Sequence, residues 1–314
     1  MTTENKLAVS VVIPVYNEEA NLPELYARLV KTMDAMGESY EVLFSDDGSS
    51  DSSLEILKGF AARDPRVKVI EFSRNFGQHA AVMAAMEESV GATVVTLDAD
   101  LQNPPEEIPK LMVKIREGYE AVGGWRQDRD DNILRKIPSR ILNSLSAYLF
   151  GVKLKDYGCM LRAYKREVVD QLVKCPEVNT YIPALANSFA KRVTEVPVAH
   201  AARTKGESKY NIVKLLRLNF DLMTGFSLLP IQLVGFAGIA VAVTGLAFAV
   251  FLFARRLIIG PEAEGVFTLL AVLFFFVGIQ ILALGIVGEY VGRIYMEVRR
   301  RPRFVIRQVH TKGS

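Results

Sequence analysis

Two stretches of 24 residues, Ile231 to Ala254 and Gly265 to Gly288, contain no charged side chain. Coiled as helix, each makes about 36 Å, enough to cross a hydrocarbon layer of about 30 Å with some tilt. Helices that are apolar on every face at that length need lipid or a very large core, so a pair of buried helices in a soluble protein is the poorer reading. The connection Arg255 to Glu264 is only ten residues long and contains the turn signal Gly260-Pro261. The chain is therefore expected to carry a membrane hairpin with both ends on one side. Lys205, Lys209, Lys214 and Arg217 precede it. Arg293, Arg299, Arg300, Arg301, Arg303, Arg307 and Lys312 follow it. The positive-inside rule then places both flanks in the cytoplasm, against the weaker opposing vote of Arg255 and Arg256.

The rest of the 314 residues is a different material. The chain has 38 basic and 35 acidic residues, but Leu222 to Gly288 contains only Arg255, Arg256, Glu262 and Glu264 of them. A charged globular part is thus joined to an apolar one, which excludes a simple soluble enzyme, a disordered chain and a fibrous repeat. A net charge of +3 gives no case for nucleic-acid binding. Cys159 and Cys175 make neither a disulfide framework nor a zinc cluster. Leu7 to Val15 is too short for a signal peptide, contains Pro14 and runs into Asn17-Glu18-Glu19, so it reads as a buried first strand.

Residues 1 to about 200 alternate strand and helix patterns. Strands are expected at Val9 to Val15, Tyr40 to Phe44, Val67 to Phe72 and Thr93 to Leu97. Helices are expected from Leu22 to Gly37, after Asp51, and from Gln78 to Val90. Asn21 reads as the N-cap of the first helix and Ser50 or Asp51 as the cap of the second. Unbroken apolar strands in βαβα order imply a mostly parallel sheet with helices on both faces, whose ligands bind outside the carboxyl ends of the strands.

Acids and amides stand at those ends. Pro14-Val15-Tyr16-Asn17-Glu18 follows the first strand, Asp46-Asp47-Gly48-Ser49-Ser50-Asp51 the second, and Asp98-Ala99-Asp100-Leu101-Gln102 a later one. Neither Gly-x-Gly-x-x-Gly nor a Walker-type Gly-Lys-Ser/Thr is present, which removes support for dinucleotide and P-loop sites. Asp98 and Asp100 repel each other unless a divalent cation lies between them. With Gln102 as a neutral oxygen donor the set suits Mg²⁺ or Mn²⁺ clamping a diphosphate. Asp46 and Asp47 suit a pyrimidine N–H and ribose hydroxyls, or equally a turn and a cap. Arg126, Arg135, Lys136, Arg140, Arg162, Arg203, Lys205 and Lys209 are the basic residues available for phosphates, and Arg203 and Lys209 stand just before the membrane segment. His79 and His200 show no zinc or triad spacing. Trp125 suits either a sugar platform or the core.

Taken together, Ser10 to Glu18, the Asp46 to Asp51 run and Asp98 to Pro105 resemble the family 2 glycosyltransferases of the GT-A fold. Asn75-Phe76-Gly77-Gln78-His79, Asp156 to Tyr164, Gly206 to Tyr210, Glu264 to Phe267, Gly288 to Tyr295 and Arg301-Pro302-Arg303 narrow the resemblance. They are similar to the polyisoprenyl-phosphate glycosyltransferases, and most of all to the group that moves 4-deoxy-4-formamido-L-arabinose. The resemblance covers almost the whole chain. It implies a GT-A Rossmann-like sheet with a C-terminal two-helix hairpin. Its implied organisation is a catalytic domain over 1–210, interfacial amphipathic helices over 211–230, the hairpin over 231–288 and a basic tail over 289–314.

The activity implied is inverting transfer of a sugar from a UDP-sugar to undecaprenyl phosphate at the bacterial inner membrane. The implied metal ligands are Asp98, Asp100 and Gln102, and the implied nucleotide pocket is Pro14, Tyr16, Glu18, Asp46, Asp47 and Arg74. Arg126, Arg140, Arg162, Arg203 and Lys209 match the phosphate and acceptor positions, Asp156 matches the position of a catalytic base, and the assembly implied is a homo-tetramer. The chain departs from many relatives at Gln78, where they carry a basic residue. A lipid phosphate has a second pKa of about 6 and is already largely dianionic at neutral pH. Asp156 is therefore expected to orient an arginine such as Arg162, or to organise the acceptor site, rather than remove a proton.

Glucosyl- or mannosyltransferases of the same family are the alternative. A processive polysaccharide synthase would need more than two spans, and a non-catalytic scaffold does not explain the acidic rim. In the tail, Phe304-Val305-Ile306 reads as a strand with no partner in its own chain, which points to pairing between protomers.

Overall fold

The structure is a computed structural model that describes residues 7–126, 156, 158–175, 181–200, 229–259, 266–299 and 301–313. The chain divides into two units: Met1–Lys209 with Arg301–Ser314, and Tyr210–Arg300.

The first unit is built on one eight-stranded sheet. Its strands are β1 (Val9–Val15), β2 (Tyr40–Asp46), β3 (Val67–Phe72), β4 (Thr93–Thr96), β5 (Ala121–Arg126), β6 (Arg162–Lys165), β7 (Val193–Val198) and β8 (Ile306–His310). Their order across the sheet is β7-β5-β6-β4-β1-β2-β3-β8. Strands β1 to β4 are parallel neighbours, β5 and β7 pair in parallel, and β6 and β8 run antiparallel to theirs.

The side-chain period of two explains why the strands read as unbroken apolar runs. Val9, Val11, Ile13, Val42, Phe44, Val67 and Val69 point to one face. There they meet α1 (Leu22–Met36), α2 (Ser53–Arg63) and α4 (Ile108–Arg116). Val12, Leu43, Ile70 and Val94 point to the other, against α3 (Gln78–Glu87), α5 (Arg166–Lys174) and α6 (Ile182–Phe189). Helix α1 buries Leu22, Leu25, Leu29 and Met33 at helical spacing and stops at Gly37, whose φ of 69° closes a left-handed cap on the Asp34 carbonyl.

Asn21 is the N-cap of α1 as expected, without a side-chain cap bond; its amide donates to Glu18 Oε2 at 2.6 Å. Two local expectations are corrected. The N-cap of α2 is Ser52, and Asp51 instead accepts from the backbone N–H groups of Ser53 and Glu19. The tail strand does have a partner in its own chain. β8 pairs with β3, Ile70 opposite Val309 and Phe72 opposite Ile306, so the tail is the edge of the eight-stranded sheet and not an unpaired strand. The missed partner lies more than 230 residues earlier, where local pattern carries no trace of it.

The second unit contains α7 (Leu229–Ile259) and α8 (Val266–Val298). Their apolar windows, Pro230–Arg255 and Val272–Val298, are long enough to cross a membrane and are not buried within the protein. Helix α8 continues past the uncharged run, where Glu289 and Arg293 pair one turn apart at 2.8 Å. Residues 211–228, expected to be interfacial helices, lie outside the described residues.

Candidate functional site

The chain leaves β1 toward β2 and β3 on one side and returns to β4 on the other, so the strand order reverses between β1 and β4. A crevice opens beyond the carboxyl ends of two such strands, because their following loops diverge. Tyr16, Asn17 and Glu18 follow β1, and Asp98 and Asp100 follow β4. Arg126 ends β5 on the same rim, because β5 runs antiparallel to β6, which is antiparallel to β4.

The loops after β1 and β2 are tied to each other. Asn17 adopts φ 56°, donates its N–H to Ser49 Oγ at 3.0 Å and accepts at Oδ1 from the Ser50 N–H at 2.8 Å. The Glu18 N–H donates to Ser53 Oγ, and Glu19 and Asp51 exchange contacts with each other's loops. Pro14 is buried in β1 opposite Ser45, and Tyr16 beyond it is 49% exposed.

Asp46 is 1% exposed. Its Oδ2 accepts from the Ser49 N–H, and its Oδ1 has no hydrogen-bond partner among the described residues. Burial pushes its pKa up. Asp47 is spent on the chain itself. Its Oδ1 and Oδ2 accept from the N–H groups of Phe76 and Gly77 at 2.6 and 2.9 Å; burial pushes its pKa up, and these two bonds counter that only in part. A Cβ on Gly48 would stand 2.7 Å from the Arg74 carbonyl carbon, so this turn packs backbone to backbone on the loop after β3. Arg74 is exposed there, its guanidinium over the Phe76 ring.

That loop delivers Gln78, the first residue of α3, to the acid pair: Gln78 Nε2 donates to Asp98 Oδ1 at 2.7 Å. Asp100 Oδ1 accepts from the Gln102 N–H at 3.1 Å, in a turn that holds Leu101 at φ 61°. A left-handed leucine costs on the order of 1–2 kcal/mol, so the surrounding packing must impose it. Leu101 is buried and supplies that packing. One oxygen on each carboxylate remains uncommitted among the described residues. Burial and the neighbouring Asp100 charge push the Asp98 pKa up to about 7; Arg126 pulls it down and Glu18 adds to the rise. These are the marks of a site with surplus negative charge.

Arg126 and Asp156 form a two-pronged ion pair, Nε to Oδ2 at 2.6 Å and Nη2 to Oδ1 at 2.9 Å. Asp156 also accepts from the Gly158 N–H, and its own N–H donates to Glu195. Arg162 differs from expectation. It is 2% exposed, and its Nε and Nη2 donate to the carbonyls of Cys159 and Asp156. It braces the loop from inside the fold, so its assignment to phosphate is corrected, and the arginine that Asp156 orients is Arg126. Cys159 is a buried free thiol pushed up to about 11 by burial, which leaves it neutral.

The structure thus gathers Glu18, Asp98, Asp100 and Arg126 on one rim, with Asp46 at the end of β2 and Asp47 and Arg74 on the adjoining loops. Arg135, Lys136, Arg140, Arg203, Lys205 and Lys209 lie outside the described residues. Sequence reasoning missed the contact of Gln78 with Asp98, twenty positions away and legible only as a polar residue opening a helix. It missed Glu195 as well, which gave no signal.

A family model described as glycosyl transferase family 2 matches residues 10–173. A protein of Edwardsiella ictaluri named undecaprenyl-phosphate 4-deoxy-4-formamido-L-arabinose transferase is 51% identical, covering 96% of this chain and 94% of its own. A protein of the same name from Salmonella paratyphi B is 49% identical, with 96% and 93% covered. Among solved structures, glucosyl-3-phosphoglycerate synthase of Mycobacterium tuberculosis, in complex with Mn²⁺, UDP and phosphoglyceric acid, superposes with a TM-score of 0.52. It is 18% identical and covers 69% of this chain and 76% of that one. Mannosyl-3-phosphoglycerate synthase of Rubrobacter xylanophilus gives 0.50 at 13% identity, with 69% and 71% covered.

Proposed function

The chain belongs to glycosyltransferase family 2, and from that premise we propose that it moves a sugar from a UDP-sugar to undecaprenyl phosphate, with inversion and release of UDP. The sugar proposed is 4-deoxy-4-formamido-L-arabinose, for which the relatives of about half identity are named. The observation that carries the reading is the acid pair beyond β4. It stands at the strand-order reversal of a GT-A-like sheet, with Asp98 pushed up to about 7 by burial and by Asp100.

A hard divalent ion, Mg²⁺ or Mn²⁺, fits that pair. Among the described residues no three acidic, histidine or cysteine side chains are grouped to hold an ion unaided. Asp98 and Asp100 would each give one oxygen, with Gln102, diphosphate and water completing the shell, as hard cations are held by one or two carboxylates and a nucleotide. Such an ion supplies positive charge to the departing UDP. Asp46, with a buried oxygen that has no partner among the described residues, and Tyr16, Glu18 and Arg74 suit the nucleoside half of the donor.

The nucleophile is an oxygen of the acceptor phosphate, which forms a bond to the anomeric carbon as the bond to UDP breaks. It is already dianionic near neutral pH, so the protein's task is alignment and screening. Asp156 suits holding Arg126 toward the phosphates, with Arg140, Arg203 and Lys209 as further acceptor contacts. The apolar helices α7 and α8 and their basic flanks suit a bacterial inner membrane protein with its catalytic unit in the cytoplasm.

The test is a panel of UDP- and GDP-sugars offered with undecaprenyl phosphate to the full chain in detergent, the lipid product read by mass spectrometry. One formamido-pentosyl unit added from the UDP donor is expected. A hexose from UDP- or GDP-hexose would reassign the sugar, and no lipid product from any donor would remove the reading.

A further inference from the structure

A continuous series of contacts leads from Asp98 to the segment that follows α8, all of it within the catalytic unit. Gln78 touches Asp98 and opens α3. The residues before it, 73 to 77, are gripped from two sides. On one side Asp47 holds the N–H groups of Phe76 and Gly77, and the Gly48 turn packs on Arg74 and Asn75. On the other stand residues from the far end of the chain. The ring of Phe304 stacks on Phe72 at 5.4 Å and 6°, and Phe72 meets the ring of Phe76 edge-on at 5.6 Å. The Ser73 N–H donates to the Val305 carbonyl at 3.1 Å, continuing the β3–β8 pairing past a register shift at Glu71 and Phe72. Glu71 fastens β8 through His310 at 2.8 Å and Arg307 at 3.3 Å.

We propose that Phe304 is a positioning residue of the donor site: by holding Phe72 and Phe76 it sets the loop 73–77, and through that loop places Gln78 against Asp98. The proposal rests on the reading of Asp98 as a metal carboxylate. Its physical content is rotational. Asp98 has one oxygen held by Gln78, so the direction of the other depends on where α3 begins. The start of α3 depends on a five-residue loop with an aromatic clasp on one side. Without the clasp, Asp47 still holds two N–H groups and the Val305 carbonyl still holds the Ser73 N–H, but no ring on the β8 side braces Phe72 against Phe76. Loss of order at Gln78 then weakens binding of the nucleotide with its ion and spares the remainder of the fold.

The experiment uses the full chain in detergent and three variants: Phe304→Ala, Phe304→Tyr and Asp100→Ala. UDP binding in the presence of Mn²⁺ is measured by calorimetry, and amide hydrogen exchange is measured across residues 73–78 and across β1 and β2. In Phe304→Ala the amides of Phe76 and Gly77 are expected to exchange faster while β1 and β2 keep their protection. UDP affinity should fall by about five- to tenfold, the scale on which residues acting through a neighbour operate. Phe304→Tyr, which keeps the stacked ring, should restore both. Unchanged protection and affinity in Phe304→Ala would overturn the proposal. So would equal loss of protection in β1 and β2, which means general destabilisation. If Asp100→Ala abolishes UDP–Mn²⁺ binding and Phe304→Ala does not alter it, the positioning role is wrong and the metal reading stands. If Asp100→Ala binds as the parent does while Phe304→Ala still loosens Phe76 and Gly77, the metal reading is wrong and the aromatic clasp stands.

Discussion

Asp156 gives both carboxylate oxygens to the Arg126 guanidinium. A general base needs a free lone pair aimed at the proton it takes, and an acceptor that is already a dianion offers no proton. Asp156→Asn should therefore lower kcat by about 10- to 100-fold through a displaced Arg126, without shifting the acid limb of the pH–rate profile. Loss of that limb with Arg126 undisturbed would return Asp156 to the role of base. Asp47 makes a parallel case. Its two oxygens serve two backbone donors, so Asp47→Asn turns an amide N–H toward a backbone N–H and costs about 1–3 kcal/mol of stability, readable as a lower Tm without ligand. An unchanged Tm with weakened UDP binding would show that its main partner is the nucleotide. The contrast between these residues and Asp98 explains what was legible. Asp98 and Asp100 stood out because surplus charge directly after a buried strand has few structural uses. Arg162 was misassigned because an arginine's default is the surface, and its burial on two carbonyls depends on a loop geometry that spacing does not encode.

Elements were legible to the extent that their partners are local or their pattern is periodic. Strands β1 and β3 fall where apolar runs placed them, and α1 ends at Gly37 as a left-handed cap requires. Strand β8 escaped because its pairing is with β3: the argument that such a strand needs a partner was right, and the choice of another chain was wrong. The junction between α2 and β3 shows how such elements are held in register. Asp64, at the end of α2, accepts from Arg66 through Nε and Nη2 and from the Tyr26 hydroxyl, and the Arg66 bonds hold its pKa down to about 2. A carboxylate lowered in the folded state contributes stability above its unfolded pKa of about 3.9, and that contribution is lost as pH falls toward about 2. Arg66 is 37% exposed, so solvent screening cuts the contribution to about 1 kcal/mol. Asp64→Asn should lower the Tm by about 3 °C at pH 7, and the gap to the parent should close between pH 4 and pH 2. A gap that is constant across that range would assign the loss to hydrogen bonding alone.

At the scale of the whole molecule, the catalytic unit is discontinuous: Met1–Lys209 is completed by Arg301–Ser314, with the two apolar helices inserted between. The last strand of the sheet therefore cannot form until the hairpin has been made, and cutting the chain before the hairpin removes more than an anchor. Phe304, Ile306 and Val309 are half-buried against the cluster that also contains Ile70, Phe72 and α3. Removing them forfeits on the order of 4 kcal/mol of apolar burial and leaves β3 as a bare edge, with Glu71 reduced to its contact with Lys58 at 3.8 Å. A chain ending at residue 210 should consequently be less stable, prone to associate through β3, and weaker in UDP–Mn²⁺ binding. A second variant, in which residues 211–300 are replaced by a flexible glycine–serine linker so that 301–314 is retained, should recover the sheet, stay monomeric in aqueous buffer and bind UDP–Mn²⁺ without detergent. Thermal unfolding, light scattering and calorimetry on the two variants decide the matter. Equal stability and equal UDP affinity would mean that β8 adds nothing to the catalytic unit and that the segment after α8 serves the membrane alone.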